Sequence, residues 1–179
     1  SSDVCSSDLD AGPAAALTHG TRVKVHVVSD NGALDRIPAY IRRVAQNDET
    51  QDFSGVFWDP PPYEWRHARP AIRSLRIYEA HIGMAQEREG IGTFREFTGN
   101  ILPRIKKLGY TAVQLMGIQQ HPYYASFGYH VSSFFAVSHF FGPPEDLKDQ
   151  IDTAHGLGLQ VVLDIVHSQM YDCLFPPEE

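Results

Sequence analysis

Cysteine is nearly absent from this chain: of 179 residues only Cys5 and Cys173 carry a thiol, far apart and in irregular sequence. Two such cysteines make neither a disulfide framework nor a zinc site, and they point to a reducing compartment. Long apolar runs are missing too. None approaches the roughly 20 residues that a membrane-spanning helix needs, so no membrane partner is expected. Positive charge is in deficit, with 15 Lys and Arg against 22 Asp and Glu and a formal net charge of −7. That balance argues against a general binder of nucleic acid or anionic lipid.

What remains suits a soluble globular protein, with 42% hydrophobic and 21% charged residues. The length allows one sizeable core, or one small domain and part of another. Residues 1–9 show no period and resemble translated adapter sequence. Together with the Ala/Gly/Pro-rich stretch up to residue 16 they are expected to be a non-native or disordered tail.

Arg22-Val-Lys-Val-His-Val-Val28 alternates apolar and polar residues, which predicts a half-buried strand, with Asp30-Asn-Gly32 as the turn after it. In the next segment Tyr40, Ile41 and Val44 can share one face. Phe53-Ser-Gly-Val-Phe-Trp-Asp59 predicts another strand, stopped by Pro60-Pro-Pro62. Residues 17–60 are therefore read as a partial all-β module, and 61–73 as a linker.

From residue 74 the period changes. Leu75–Ile82 is strand-like, and Thr93-Phe-Arg-Glu96 has capping-box spacing. Phe94, Phe97, Ile101, Ile105 and Leu108 recur at helical spacing before Gly109, a suitable C-terminal cap. Pro103 must break or kink that helix, or begin a second one in its first turn. Thr111–Met116 predicts a strand. Pro143-Pro-Glu-Asp146 opens a helix with a Leu147, Ile151, Ala154 stripe that ends at Gly156 or Gly158. The apolar run Gln160-Val-Val-Leu-Asp-Ile-Val-His-Ser-Gln169 predicts a buried parallel strand. This β-α-β-α-β order fits a barrel and an open doubly wound sheet equally. Dinucleotide binding is disfavoured, because Glu79-Ala-His-Ile-Gly83 stands where G-x-G-x-x-G would follow the first strand.

Chemistry concentrates in two places. Residues 117–142 form a long loop holding eight aromatics, among them Tyr123, Tyr124, Phe127, Tyr129 and Phe135. Aromatic faces suit stacking on pyranose rings, though most of these are expected to pack the loop onto the body. His121, His130 and His139 share that loop, but their spacing and lack of a local carboxylate speak against zinc. His81 and Glu79 can face the mouth of a barrel, with a structural ion pair or hydrogen bond as the expected role. His155 is expected in the core or on the surface. The second place is Asp164, a carboxylate inside an apolar run. Its burial is costly without partners, which favours an active-site setting.

Ile77-Tyr-Glu-Ala-His-Ile-Gly83, Asn100-Ile-Leu-Pro-Arg-Ile-Lys-Lys-Leu-Gly-Tyr110, Gln114-Leu-Met116, Tyr123-Tyr-Ala-Ser-Phe-Gly-Tyr-His-Val131 and Leu163-Asp-Ile-Val-His-Ser168 occur here in order. Together they resemble the 1,4-α-glucan branching enzymes of eukaryotic type, in the α-amylase superfamily, over about Val23 to Ser168. Asp35-Arg-Ile-Pro-Ala-Tyr40 and Phe57-Trp-Asp-Pro-Pro61 resemble the end of the module that precedes the barrel. The resemblance implies an α/β fold: an incomplete (β/α)8 TIM barrel, its first three strands within residues 74–179, preceded by the end of a β-sandwich carbohydrate-binding-like module.

The resemblance also implies roles. Tyr129 matches the tyrosine that stacks on the glucose at the cleavage subsite. Asp164 matches an aspartate that organises hydrogen bonds around the site and is neither nucleophile nor acid. Gln169 stands where the family carries a histidine that contacts the same glucose, and residues 170–179 do not continue the family pattern. The reaction cleaves α-1,4 bonds and forms α-1,6 branches with retention, which needs two carboxyls about 5–5.5 Å apart. In the family those come from later strands, so no catalytic residue is expected in this chain, and it is expected to be an inactive, aggregation-prone fragment. Substrate and partner would be an α-1,4-glucan, glycogen or starch. No cofactor or metal is implied, and the full-length protein would be a monomer of the cytoplasm, or of the plastid in a plant. The alternatives are another glucanotransferase or debranching enzyme of the superfamily, and a non-catalytic glucan-binding homologue.

Overall fold

A computed structural model describes residues 17–167. The tail at 1–16, Cys5, Cys173, Ser168 and Gln169 lie outside the described residues. The amino-terminal part carries five short strands. β1 (Arg22–Val23), β4 (Val44–Gln46) and β5 (Phe53–Val56) form an antiparallel sheet with β5 in the middle. β2 (Val25–Ser29) and β3 (Gly32–Arg36) make a separate hairpin. It turns at Asp30-Asn31 as the sequence predicts, and Gly32 takes a φ of 118°, a value L side chains rarely adopt.

The half-buried strand expected over Arg22–Val28 is not formed. The run breaks at Lys24: two residues join the sheet, and the rest enter the hairpin, where all of β2 is exposed. Alternation buries a face only where a second layer covers it. Ile41 and Val44 do turn inward, packing with Val23, Ile37 and Phe53. Ala136, from the long loop, completes that small core, so the β module and the loop share it. Tyr40 departs from the expected face and is 80% exposed, its ring 5.1 Å from that of Phe135.

Three parallel strands follow: β6 (Ile77–Ala80), β7 (Ala112–Leu115) and β10 (Gln160–Leu163), ordered β10-β7-β6. Between β7 and β10 lie the antiparallel pair β8 (Gln119–Gln120) and β9 (Ser133–Val137). The helical crossovers predicted from sequence are present, and both pack on one face of the parallel sheet. Tyr78, Ala80, Val113, Leu115 and Val161 point to that face and join Phe94, Phe97, Leu102, Ile105, Leu147, Ala154 and Leu159 in the main core. Each fully buried Val, Leu, Ile or Phe among them contributes about 1.5–3 kcal/mol.

The first crossover is one helical path in three pieces. α1 (Phe94–Glu96) opens with the capping box: Thr93 Oγ1 accepts from the Glu96 amide at 3.2 Å, and Glu96 Oε2 accepts from the Thr93 amide at 2.9 Å. A π-helical stretch (Phe97–Ile101) leads into α2 (Leu102–Lys107), with Pro103 in its first turn. Proline lacks the amide that an uninterrupted helix would use and crowds the carbonyl four residues back, and a wider turn relieves both. The extra residue in that turn moves the inward stripe by one. Leu102 is consequently buried, while Leu108, expected on the stripe, is 69% exposed. Gly109, at φ 87°, caps the end as expected.

The second crossover, α3 (Pro144–Gly156), buries Leu147 and Ala154, and Gly158 with φ 71° follows it. The strand after it corrects an expectation. β10 is an edge strand of four residues, and Val162, Leu163 and Ile165 are each more than a third exposed. A continuous apolar run is fully buried only when strands flank it on both sides and layers cover both faces. Residues 57–76 hold no helix or strand, and the part from Trp58 to His67 lies along α3.

Candidate functional site

Side chains of residues in parallel register point to the same face of the sheet. Glu79, Gln114 and Val162 are aligned across β6, β7 and β10, on the face away from the helices. Asp164, two residues past Val162, shares that face and stands just beyond the C-terminal end of its strand. Its amide donates to the Leu115 carbonyl at 3.0 Å, which continues the ladder by one step. Gln114 Nε2 donates to Glu79 Oε1 at 3.0 Å. The polar groups thus gather at the carboxyl ends of the strands, the end at which barrel enzymes build their sites.

Tyr129 reaches this place from the long loop, and its hydroxyl donates to Asp164 Oδ2 at 3.1 Å. Partial burial, the Asp164 hydrogen bond and charge, and the Glu79 charge all raise the Tyr129 pKa, so the phenol stays protonated as a donor. The turn that delivers Tyr129 is tightly specified. Phe127 adopts a left-handed φ of 53°, unusual for a bulky residue, and Tyr129 N–H donates to the Ser126 carbonyl at 3.0 Å. At its base Gly117 and Gly128 cross backbone to backbone, each occupying the space where the other's Cβ would be. Both have positive φ, 52° and 87°, so glycine is required on two grounds.

Gln119 ties the loop to the chain beyond β10. Its buried side chain accepts from the Val166 amide at 2.8 Å and donates to the Phe134 carbonyl at 3.1 Å. Phe134 and His167 lie nearly parallel, with ring centroids 6.4 Å apart.

The loop's histidines serve its interior. His121 is fully buried against Phe140 and Phe141, with Nδ1 2.8 Å from the Gln119 carbonyl. Burial first, then the neighbouring His81 and His130, lower its pKa against the pull of that carbonyl. His139, bonded to Gln120, is pushed down to about 4 by burial and then by His121. Of the ion pair or hydrogen bond expected of His81 and Glu79, Glu79 has the hydrogen bond, from Gln114, and among the described residues His81 forms no ion pair. It packs edge-on to Tyr124, Phe127 and Phe141, and burial lowers its pKa against a weaker opposing pull from the Phe127 backbone. His155 lies on α3 with its ring centroid 6.5 Å from Trp65.

Of the residues singled out from sequence, Tyr129, Asp164 and Glu79 are brought to one place. The loop histidines are not, and Gln169 lies outside the described residues. Sequence reasoning missed Gln114, Gln119 and the left-handed Phe127. The signal for Gln119 was available: a Gln-Gln pair following an apolar strand must satisfy two amides if buried.

A parallel α/β sheet with polar groups at its carboxyl ends and a long loop folded over them is the arrangement on which barrel enzymes build their sites. The chain belongs to the alpha-amylase family, whose catalytic domain matches residues 81–173. A 1,4-alpha-glucan-branching enzyme of Emericella nidulans is 51% identical over 158 residues, covering 85% of this chain and 23% of that protein. The enzyme of the same name from Dictyostelium discoideum is 49% identical over 156 residues, with 86% and 23% covered. A chloroplastic/amyloplastic branching enzyme of Arabidopsis thaliana is 49% identical over 166 residues, with 90% and 20% covered. The chain thus spans about a quarter of the length of the curated relatives it matches. Among solved structures, one from Salmonella typhimurium named for the alpha amylases superposes with a TM-score of 0.67 at 29% identity, over 88% of this chain and 27% of that one. A GBS pullulanase solved with maltotetraose gives 0.62 at 22% identity, over 76% and 23%, and shows the fold alone.

Proposed function

We propose that this chain is part of a 1,4-α-glucan branching enzyme. In that reading residues 17–60 are the end of the β-sandwich carbohydrate-binding-like module, 61–73 join it to the barrel, and 74–179 begin the catalytic barrel. The complete protein would cut an α-1,4 bond in glycogen or starch and rejoin the freed chain at a 6-hydroxyl with retention, in the cytoplasm or, in a plant, the plastid. Nucleophile and acid/base would come from later barrel strands. The similarity at 48–51% to relatives bearing that name supports the class of activity. The observation that carries the site is the 3.1 Å hydrogen bond from Tyr129 to Asp164 at the strand ends.

Within that site Asp164 fixes the phenol, and the Tyr129 ring offers a face for a pyranose to stack on. Gln169, standing where the family carries a histidine, would contact the same sugar. The test is branching of amylose by the complete protein. Asp164→Asn should lower kcat by roughly 10²-fold through misplacement of the sugar. Tyr129→Phe should keep most substrate affinity, whereas Tyr129→Ala should weaken it about tenfold, in line with an aromatic contact of about 0.5–1.5 kcal/mol. Unchanged branching in both Asp164→Asn and Tyr129→Ala would remove the two residues from the site. Failure of the unaltered complete protein to make α-1,6 links would remove the branching activity itself.

A further inference from the structure

Along α3, Glu145, Asp149 and Asp152 stand at i, i+4 and i+7, on one face of the helix. The chain between the β module and β6 runs along that face in the same direction. Trp58 Nε1–H donates to Glu145 Oε1 at 2.8 Å. The Tyr63 hydroxyl donates to Asp152 Oδ2 at 3.2 Å. The Arg66 guanidinium spans two acids, reaching Asp149 Oδ1 and Asp152 Oδ2 at 2.6 Å each.

Asp152 is the centre of this arrangement. Its side chain has no exposed surface, although two of its neighbours, Arg66 and His67, are about half exposed. It also accepts from the backbone amide of Arg66, at 3.2 Å to each oxygen, and from that of His67 at 2.9 Å, and it meets His67 Nδ1 at 3.1 Å. A buried carboxylate survives only when its lone pairs are used, and here the partners come from the segment that sequence reads as a linker.

Gly156 is a second, independent sign of a built contact. A Cβ there would press on the His67 ring at 2.9 Å, so the end of α3 is cut to the width of that ring. At its upstream end the segment is gripped from the β module as well, where the Arg43 guanidinium lies over the Trp58 ring at 4.3 Å.

We propose that the acidic face of α3 is a docking surface for residues 58–67, with Asp152 as its latch. Docking turns the segment from a tether into a strap. Because the β module also shares its small core with Ala136 of the long loop, the strap gives it a second, distant attachment. Module, loop and α3 are thereby held as one body, and Asp152 is a positioning residue for that assembly.

The test is limited trypsin digestion of the complete protein, with hydrogen exchange followed by mass spectrometry. Arg69 precedes Pro70 and resists trypsin, so the diagnostic bond is Arg66–His67. It should be protected in the unaltered chain. Asp152→Asn should cleave there on the order of 10-fold faster and exchange faster across 61–73, with β6 and β7 unchanged. Gly156→Ala separates docking from helix stability. Alanine favours the helix, so an undocked strap predicts slower exchange in α3 and no change at 61–73, whereas a docked strap predicts faster cleavage at Arg66. Should Asp152→Asn not fold, Gly156→Ala and Tyr63→Phe decide. Cleavage and exchange at 61–73 unmoved in the variants that fold would overturn the proposal.

Discussion

Two connecting segments hold this molecule together, and they are held in opposite ways. The strap of residues 58–67 is fixed by polar saturation: Asp152 takes donors from three residues of one short stretch. The long loop of residues 117–142 is fixed by aromatic packing, with Phe141 as the pin between His81, His121 and Phe94. Around that pin the Tyr124 hydroxyl, Ser138 Oγ and His121 Nε2 are buried without a protein partner among the described residues. A carboxylate must be matched donor for donor, whereas a loop rich in rings gains enough from burial to tolerate unmatched polar atoms. The loop is therefore the part that acid should loosen first.

The largest effect expected from breaking this contrast is at the pin. Phe141→Ala removes a fully buried ring and should cost about 3–5 kcal/mol, read as a lowered denaturation midpoint. If the loop were held by its hydrogen bonds instead, the loss would be far smaller.

Acid should separate the two segments next. An unfolded histidine titrates near about 6.5, while burial holds His81 and His121 lower and His139 at about 4. As pH falls through that window, the unfolded chain takes up protons that the folded loop refuses. Stability present above pH 6.5 is thus lost progressively toward pH 4. Asp152 behaves differently. Burial would raise its pKa, but the Arg66 side chain and the Arg66 and His67 amides outweigh it and hold the carboxyl far below the usual range. Its contribution is intact at every pH above the unfolded carboxyl pKa of about 3.9 and is lost only as pH falls through and below that value. Hydrogen exchange corrected for intrinsic rate should rise across 117–142 between pH 7 and 5, and stay flat across 61–73. Equal changes in both segments would erase the distinction.

The smallest effect lies in the first crossover helix. Thr93→Ala removes one side of the capping box and should cost about 1 kcal/mol by chemical denaturation, with no change in either segment's exchange.

The parallel strands, both crossovers, the capping box and the Gly109 cap were legible because each rests on residues close in sequence. The family resemblance gave Tyr129 and Asp164 separate roles around one sugar, but the hydrogen bond between them, across 35 residues, was not legible in the sequence. What stayed hidden depended on distant partners. The acids of α3 lie off its apolar stripe, and nothing near them in sequence shows that Arg66 and His67, more than 80 residues earlier, fill their face. The misplaced Leu108 has a local cause, the turn widened before Pro103, but helical periodicity assumes a constant turn. β10 read as buried because an apolar run specifies appetite for burial, not the neighbours that would supply it.

The strand register has one further consequence. Asp164 reaches Tyr129 by counting: Val162 sits opposite Gln114, and the next residue on that face is the carboxylate. The ladder therefore works as a ruler whose smallest division is two residues. One residue inserted between Gly158 and Gln160 would leave the strand's composition and hydropathy nearly intact while shifting each of its pairings by one residue. It would nonetheless carry the charge round to the helix-packed side and present Leu163 to the mouth in its place. The address of the site is a parity, which a genome can change with a single codon.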